Sequence, residues 1–350
     1  MNAIERDWAG LLPELVEISA GKIVDIFDFI RFRAVCKTWR SITTMSQFFP
    51  WILSRRYGPG LRFYSIAFEK SFTIPAPKYA NKDFFTPCCG SMLVQSSGTN
   101  HSLSLTNPLN NGNVSLPLII NLDLEWIGSR SFQIGDHVVL KGSGNRLHVL
   151  MPGAIRWIPM EGESQSTYFY SKNLLYIVNT IFWNTKVINL STLETVFVVP
   201  PPSDIATLPT GRIDFTIWRP PTLIASSGEI LHVTYAYELK KFVIHRLEVG
   251  NGKGNPHWVE VRNLGDRMLF IDFHHTGGDF SLRATDICGS NFKGNCIYFI
   301  RIRKNLPSNF RCSYAVERYD IESTTTECIY IQDGYITWYL PEFYKPDVKF

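Results

Sequence analysis

KVINLSTLETVFVV, residues 186–199, reads as two β-prone runs around a polar turn. Lys186-Val187-Ile188-Asn189-Leu190 and Val196-Phe197-Val198-Val199 flank Ser191 to Thr195, the pattern of a β-hairpin. Three further hairpins have the same character. Leu103-Ser104-Leu105-Thr106 and Val114-Ser115-Leu116 turn on Asn111-Gly112, and Leu231 to Tyr237 with Phe242 to Val249 turn on Glu238 to Lys241. Ile329 to Gln332 and Tyr335 to Trp338 flank Asp333-Gly334, a pair suited to a type I′ turn because both central residues must take positive φ.

These units repeat. Asn107, His148 and Asn189 stand 41 residues apart, within the roughly 40–50-residue period of propeller blades. Arg246 and Asp320 continue the series if the Pro-rich segment between Pro200-Pro201-Pro202 and Pro220-Pro221 is an insertion, with one further unit near Thr285. The expected fold is mainly β with a small α N-terminal module. Its main part is a β-propeller-like domain of about six blades, with a large β-sandwich as the alternative. The expected boundaries are a helical domain over 1–48, a linker over 49–60 and the β domain over 61–350.

Before the β region stands DWAGLLPELVEISAGKIVDIFDFIRFRAVCKTWRSITTM, residues 7–45. Pro13 suits the first position of a helix, where its missing N–H leaves nothing unpaired. Glu14 follows in the first turn, complementing the helix dipole, and Gly21 marks the end. Asp25 or Asp28 caps the restart. Phe29, Phe32, Val35, Cys36, Trp39 and Ile42 then recur at steps of three and four. A three-helix unit of about forty residues buries little surface alone, so the surplus of Leu, Phe and Trp asks for a partner.

Composition is that of a globular chain: 45% hydrophobic, 19% charged and rich in Phe, Tyr and Trp. The net charge of +4 is mild, and the densest basic run, Arg301-Ile302-Arg303-Lys304, lies beside a strand end. It reads as a solvated loop, against a nucleic-acid partner. The 7 cysteines form no CxxC pair, which points to free thiols in a reducing compartment. Glu5, Arg6 and Asp7 interrupt any signal peptide. Leu174 to Trp183 is too short to span a bilayer. The expectation is a cytosolic or nuclear protein without a membrane partner, its Asn113 and Asn189 sequons unmodified.

The order Leu12-Pro13-Glu14-Leu15, Ile18, then Phe32-Arg33-Ala34-Val35-Cys36-Lys37-Thr38-Trp39-Arg40-Ser41 resembles an F-box of the plant type. The resemblance implies binding to the Skp adaptor of a Skp–cullin–F-box ubiquitin ligase. Leu12, Pro13, Leu15, Val16, Ile18, Val35, Cys36 and Trp39 match motif positions that contact the adaptor or hold the helices together. A second resemblance lies in Trp258-Val259-Glu260-Val261, Asn263 to Phe270, Phe280-Ser281-Leu282-Arg283-Ala284 and Gly294 to Phe299. With Pro50-Trp51-Ile52-Leu53 and Trp338-Tyr339-Leu340-Pro341, these look like the C-terminal module of plant F-box proteins known as domain of unknown function 295, kelch-like in architecture. Together the resemblances imply a substrate-recognition subunit of a ubiquitin ligase, partnered with the adaptor, through it a cullin, and a protein substrate. An F-box protein outside any ligase, or a ligand-sensing propeller, are the other classes.

No catalytic constellation emerges. Asp272 to Asp279 holds His274 and His275, but neighbours on a strand point to opposite faces and do not share an ion. Gly250 to Pro256 lacks the spacing of a phosphate loop. Ser143 lacks a nucleophile elbow, and Ser290 to Lys293 lacks companion motifs. Trp126, Trp157, Trp183 and Trp218 read as packing. No metal or cofactor is expected, and no enzyme activity.

Overall fold

Strands that are apolar at consecutive positions must be covered on both faces. Leu174–Asn179 and Arg267–Asp272 are of this kind, and both are buried over most of their length. In the computed structural model each stands between two neighbouring sheets. The structure describes residues 8–23, 25–43, 50–54, 60–75, 83–88, 91–95, 103–107, 112–118, 132–134, 137–141, 146–163, 166–206, 221–236, 239–250, 255–273, 279–287, 292–303, 313–334 and 336–339.

Helices α1 (Pro13–Gly21), α2 (Ile26–Ala34) and α3 (Lys37–Ile42) come first. Blade 1 then takes β1 (Trp51–Ser54), β2 (Gly60–Ser65) and β3 (Lys70–Pro75). Blade 2 holds β4 (Asp83–Cys88), β5 (Ser91–Gln95), β6 (Leu103–Thr106) and β7 (Asn113–Ser115). Blade 3 holds β8 (Phe132–Ile134), β9 (Val138–Lys141), β10 (Arg146–Leu150) and β11 (Ile158–Glu161). Blade 4 holds β12 (Ser166–Ser171), β13 (Leu174–Asn179), β14 (Thr185–Asn189) and β15 (Thr195–Val199), and the short α4 (Ser203–Ala206) follows it. Blade 5 holds β16 (Thr222–Ser226), β17 (Glu229–Ala236), β18 (Lys241–Glu248) and β19 (His257–Glu260). Blade 6 has five strands: β20 (Arg267–Asp272), β21 (Phe280–Arg283), β22 (Cys296–Arg303), β23 (Ser313–Asp320) and β24 (Thr325–Asp333). The last strand, β25 (Ile336–Tyr339), returns to pair antiparallel with β1.

The described strands thus form six sheets. Contacts run from β25 to β4, β8, β12, β16, then to β20 and β21, and back from β20 to β25. That circuit is a closed ring, a six-bladed propeller, as expected.

The two-residue period of a strand distributes the core among the seams. Leu175 and Ile177 meet Val139, Leu147 and Val149 of blade 3, whereas Tyr176 and Val178 share a cluster with Leu223 of blade 5. Leu269 and Ile271 pack with Leu231, Val233 and Ile244 of blade 5, and Met268 and Phe270 with Ile52, Ile336 and Trp338 of blade 1.

Three sequence hairpins are present as β6–β7, β14–β15 and β17–β18. The fourth is not. β24 pairs with β23 in blade 6, while β25 crosses to blade 1, so the Asp333-Gly334 pair turns between sheets. No separate unit lies near Thr285, which follows the inner hairpin β20–β21 of blade 6. The sixth blade comes instead from joining the two ends of the propeller. The segment 49–60, expected as a linker, contains β1, which has a strand partner on each side and is buried because Trp51 and Leu53 pack on the helices and Ile52 on blade 6.

Asp279 fastens the seam between blades 5 and 6. It accepts the Asp272 N–H at 2.7 Å on one oxygen and the Thr222 hydroxyl on the other. Burial pushes its carboxyl up to about 7, helped by the Asp272 charge and opposed by those two hydrogen bonds. A raised folded-state pKa favours the folded chain fully below the unfolded value, and that benefit is lost as pH rises through about 7. Buried His232, whose imidazole faces His245 with ring centroids 6.1 Å apart, acts in the other direction. Desolvation, with the His245 charge, lowers it to about 3, so its contribution falls away as pH drops below its ordinary value. Comparing variants separates the two. Asp279→Asn should gain stability relative to the parent between pH 4 and pH 7 in urea titrations, and a pH-independent difference would remove Asp279 as the cause.

Candidate functional site

The helical module begins with local chemistry. Pro13 opens α1 with Glu14 in its first turn. Asp25, rather than Asp28, caps α2, accepting the N–H groups of Phe27 at 2.8 Å and Asp28 at 3.1 Å. The Cys36 sulfur caps α3 through the Trp39 N–H at 3.4 Å. Trp39 lies against Phe32, with ring centroids 4.4 Å apart, and its indole donates to the Trp8 carbonyl at 3.1 Å.

One side of this module is spent on the propeller. Ala20, Ile26 and Phe29 join Trp51, Leu53, Leu61 and Phe63 of blade 1 in a single core cluster. Phe27 meets Phe72 edge-on, with ring centroids 5.8 Å apart.

The opposite side of α1 stays open, and this divides the eight motif residues. Leu12 is 63% exposed, Leu15 46%, Ile18 57% and Val35 54%, and Pro13 is exposed beside them. Val16 at 0% and Trp39 at 8% have almost no surface to offer a partner. Cys36 is half-buried and serves as a cap. Leu12, Leu15 and Ile18 recur every three residues, so they form a stripe along one face. By helical spacing, the sequence puts Leu15 and Ile18 on one face of α1 and Leu11, Leu12 and Val16 on a neighbouring one. It did not reveal which one blade 1 leaves open, nor that Phe29 is the pin beneath.

The propeller offers a second surface, where a cleft of about 740 Å³ lies over the turns of blades 4 and 5. Its lining includes Lys172, Leu174, Ile230, Arg246, Leu247 and His257. A smaller cavity of about 380 Å³, lined by Ser227, Glu229, Asp266, Arg267 and Arg283, shares Ser227 and Glu229 with it and extends it toward blade 6.

The other sequence candidates are structural or lie elsewhere. Trp157 donates to the Pro117 carbonyl at 2.7 Å, and Trp183 to the Thr180 carbonyl at 2.9 Å inside a turn. Arg301 and Arg303 end β22, next to the buried Glu317. Trp126, Trp218, Ser143, His274, His275 and Lys304 fall outside the described residues. Among the described residues no group of three or more His, Cys, Asp or Glu is placed to hold a metal ion, and no helix is long and apolar enough to cross a membrane.

A closed ring of six sheets, carrying three helices with one docked and one open face, defines a β-propeller fitted for protein interaction. The chain belongs to the KIB1-4 beta-propeller family, whose model matches residues 63–342. The match starts within β2 and leaves α1 to α3 outside it. No curated protein matches the chain. Among solved structures, a nidogen/laminin complex is similar at 9% identity over 84% of this chain and 100% of that one, with a TM-score of 0.37. KlHsv2 with a loop replaced by a Gly-Ser linker is similar at 10% identity over 80% and 92%, with a TM-score of 0.35. AztD from Citrobacter koseri is similar at 12% identity over 61% and 60%, with a TM-score of 0.34. Scores this low say nothing about function.

Proposed function

We propose that this chain is the non-catalytic substrate receptor of a Skp–cullin–F-box ubiquitin ligase, in the cytosol or nucleus. The helical module docks the Skp adaptor, and the propeller holds a protein substrate. The observation that supports this most is the open stripe Leu12, Leu15 and Ile18, set at the positions that resemble an F-box. Leaving three large aliphatic side chains about half exposed forgoes roughly 1 kcal/mol each of burial, which an adaptor would recover. The receptor breaks no bond itself. It raises the effective concentration of a substrate lysine near the charged ubiquitin carrier.

The test is a pull-down with recombinant Skp adaptor. Wild-type protein should bind saturably, and the Leu12→Ala, Pro13→Ala double variant at least tenfold more weakly, about 1.4 kcal/mol. Both proteins must melt alike for that comparison to hold. A correctly folded wild type that captures no adaptor overturns the ligase reading and leaves the propeller's own partner as the question.

A further inference from the structure

The cleft over blades 4, 5 and 6 carries unequal charge. Lys172, Arg246, Arg267 and Arg283 stand against three carboxylates, of which Glu229 and Glu248 are paired with arginine while Asp266, among the described residues, is hydrogen-bonded to Thr285 alone. Glu229 takes Arg246 on one oxygen at 3.0 Å and Arg267 on the other at 2.6 Å, Glu248 takes the second Arg246 nitrogen, and Asp266 accepts the Thr285 hydroxyl at 2.6 Å. Partial burial pushes the Glu229 carboxyl up, but the two arginines hold it below its ordinary value, so it stays ionised. Arg267 and Arg283 face each other as cross-strand partners on β20 and β21, an arrangement that is unfavourable for like charges. Glu229 answers only the first. Exposed Arg283 has no ion pair among the described residues, and neither does Lys172 at the other end of the cleft. Lys172 is held in the left-handed region, φ 48°, in the tight turn between β12 and β13. Over blades 4 and 5 the lining also includes the apolar side chains Leu174, Ile230 and Leu247, set among polar ones.

From this charge imbalance we infer that the cleft binds an extended peptide of a protein substrate through an anionic side chain, carboxylate or phosphate, at Arg283, with an apolar neighbour over blades 4 and 5. The Arg283 guanidinium offers a planar fork that matches either anion. The apolar side chains supply affinity, since ion pairs exposed to solvent contribute little alone. This deepens the receptor proposal by naming its substrate chemistry, and it needs only the propeller.

Three pools of fluorescein-labelled decapeptides test it against the full chain by fluorescence polarisation. The pools are degenerate except for a fixed leucine and, two residues away, glutamate, phosphoserine or lysine. One or both anionic pools should bind at least tenfold tighter than the lysine pool. Arg283→Glu should remove that preference, whereas Arg156→Glu, on exposed surface of blade 3, should keep it. Tighter binding of the phosphoserine pool assigns phosphate, and equal binding of the two assigns any acidic side chain. Equal binding of the lysine pool, indifference to Arg283→Glu, or no saturable binding overturns the inference. Competition by inorganic phosphate without any peptide preference also overturns it, in favour of a small-anion site. The Leu12→Ala, Pro13→Ala variant should bind these peptides as the wild type does, so failure at the adaptor and failure at the cleft are read separately.

Discussion

Trp338→Ala should lower the stability of the propeller by about 3–5 kcal/mol, the usual cost of emptying a large aromatic site in a core. Trp338 is almost fully buried, and Phe270 meets its ring edge-on with centroids 5.1 Å apart. Its indole donates to the Ile271 carbonyl at 2.9 Å, tying the returning strand to blade 6. Removing the side chain therefore leaves a cavity and takes one hydrogen bond from the buried Ile271 carbonyl at the seam where the ring closes. Against a typical total of about 5–15 kcal/mol, such a loss brings the fold near its threshold. Trp338→Phe keeps most of the packing and loses the hydrogen bond, so its cost should be nearer 1–3 kcal/mol. Thermal and urea unfolding of the three proteins would show this order. An alanine variant as stable as its parent would mean that closure rests elsewhere.

The second large effect concerns the helices. Phe29→Ala should cost about 3–5 kcal/mol, because Phe29 is fully buried among Ala20, Ile26, Trp51 and Phe63. The loss falls on the attachment of the helical module, so α1 to α3 should become sensitive to limited proteolysis at temperatures where the propeller remains intact. Ile18→Ala, on the open stripe, should change stability by no more than about 0.5 kcal/mol while weakening adaptor capture. Equal destabilisation by the two substitutions would contradict the assignment of the faces.

The repeat was legible because its signal is local. Asn107 and Asn189 stand at the end of the third strand of their blades, and Asp320 at the end of the fourth strand of five-stranded blade 6, each where the chain turns toward the outermost strand. The Asn107 N–H reaches the Gly112 carbonyl, and the Asn189 N–H the Glu194 carbonyl, each at 2.9 Å. The Asn189 side chain accepts the Ser191 N–H, and Asp320 those of Glu322 and Ser323. These are short side-chain-to-backbone turns that asparagine and aspartate favour. His148 and Arg246 lie on equivalent strands, a little out of phase.

What could not be read was non-local. Asp333-Gly334 has hairpin chemistry whichever sheet the next strand joins, and only the ring decides that it joins β1. In blade 6, the inner hairpin places β20 parallel to β22, an arrangement set by strand order and not by any residue pattern. The helices were legible as helices, with caps and apolar periods in view. Which of their apolar faces remains for a partner depends on Trp51 and Phe63, which belong to another part of the fold.

The pairing of β25 with β1 also sets a timetable for the nascent chain. On the ribosome, the helices and the first three strands of the ring emerge long before the strand that completes their sheet. Until Ile336 to Tyr339 have been translated, β1 must wait with one edge unpaired, a surface that invites pairing with other chains. Helices α1 and α2 pack on Trp51, Leu53 and Phe63 of that same sheet, so the open stripe on α1 sits on a firm base only once the last strand has come home.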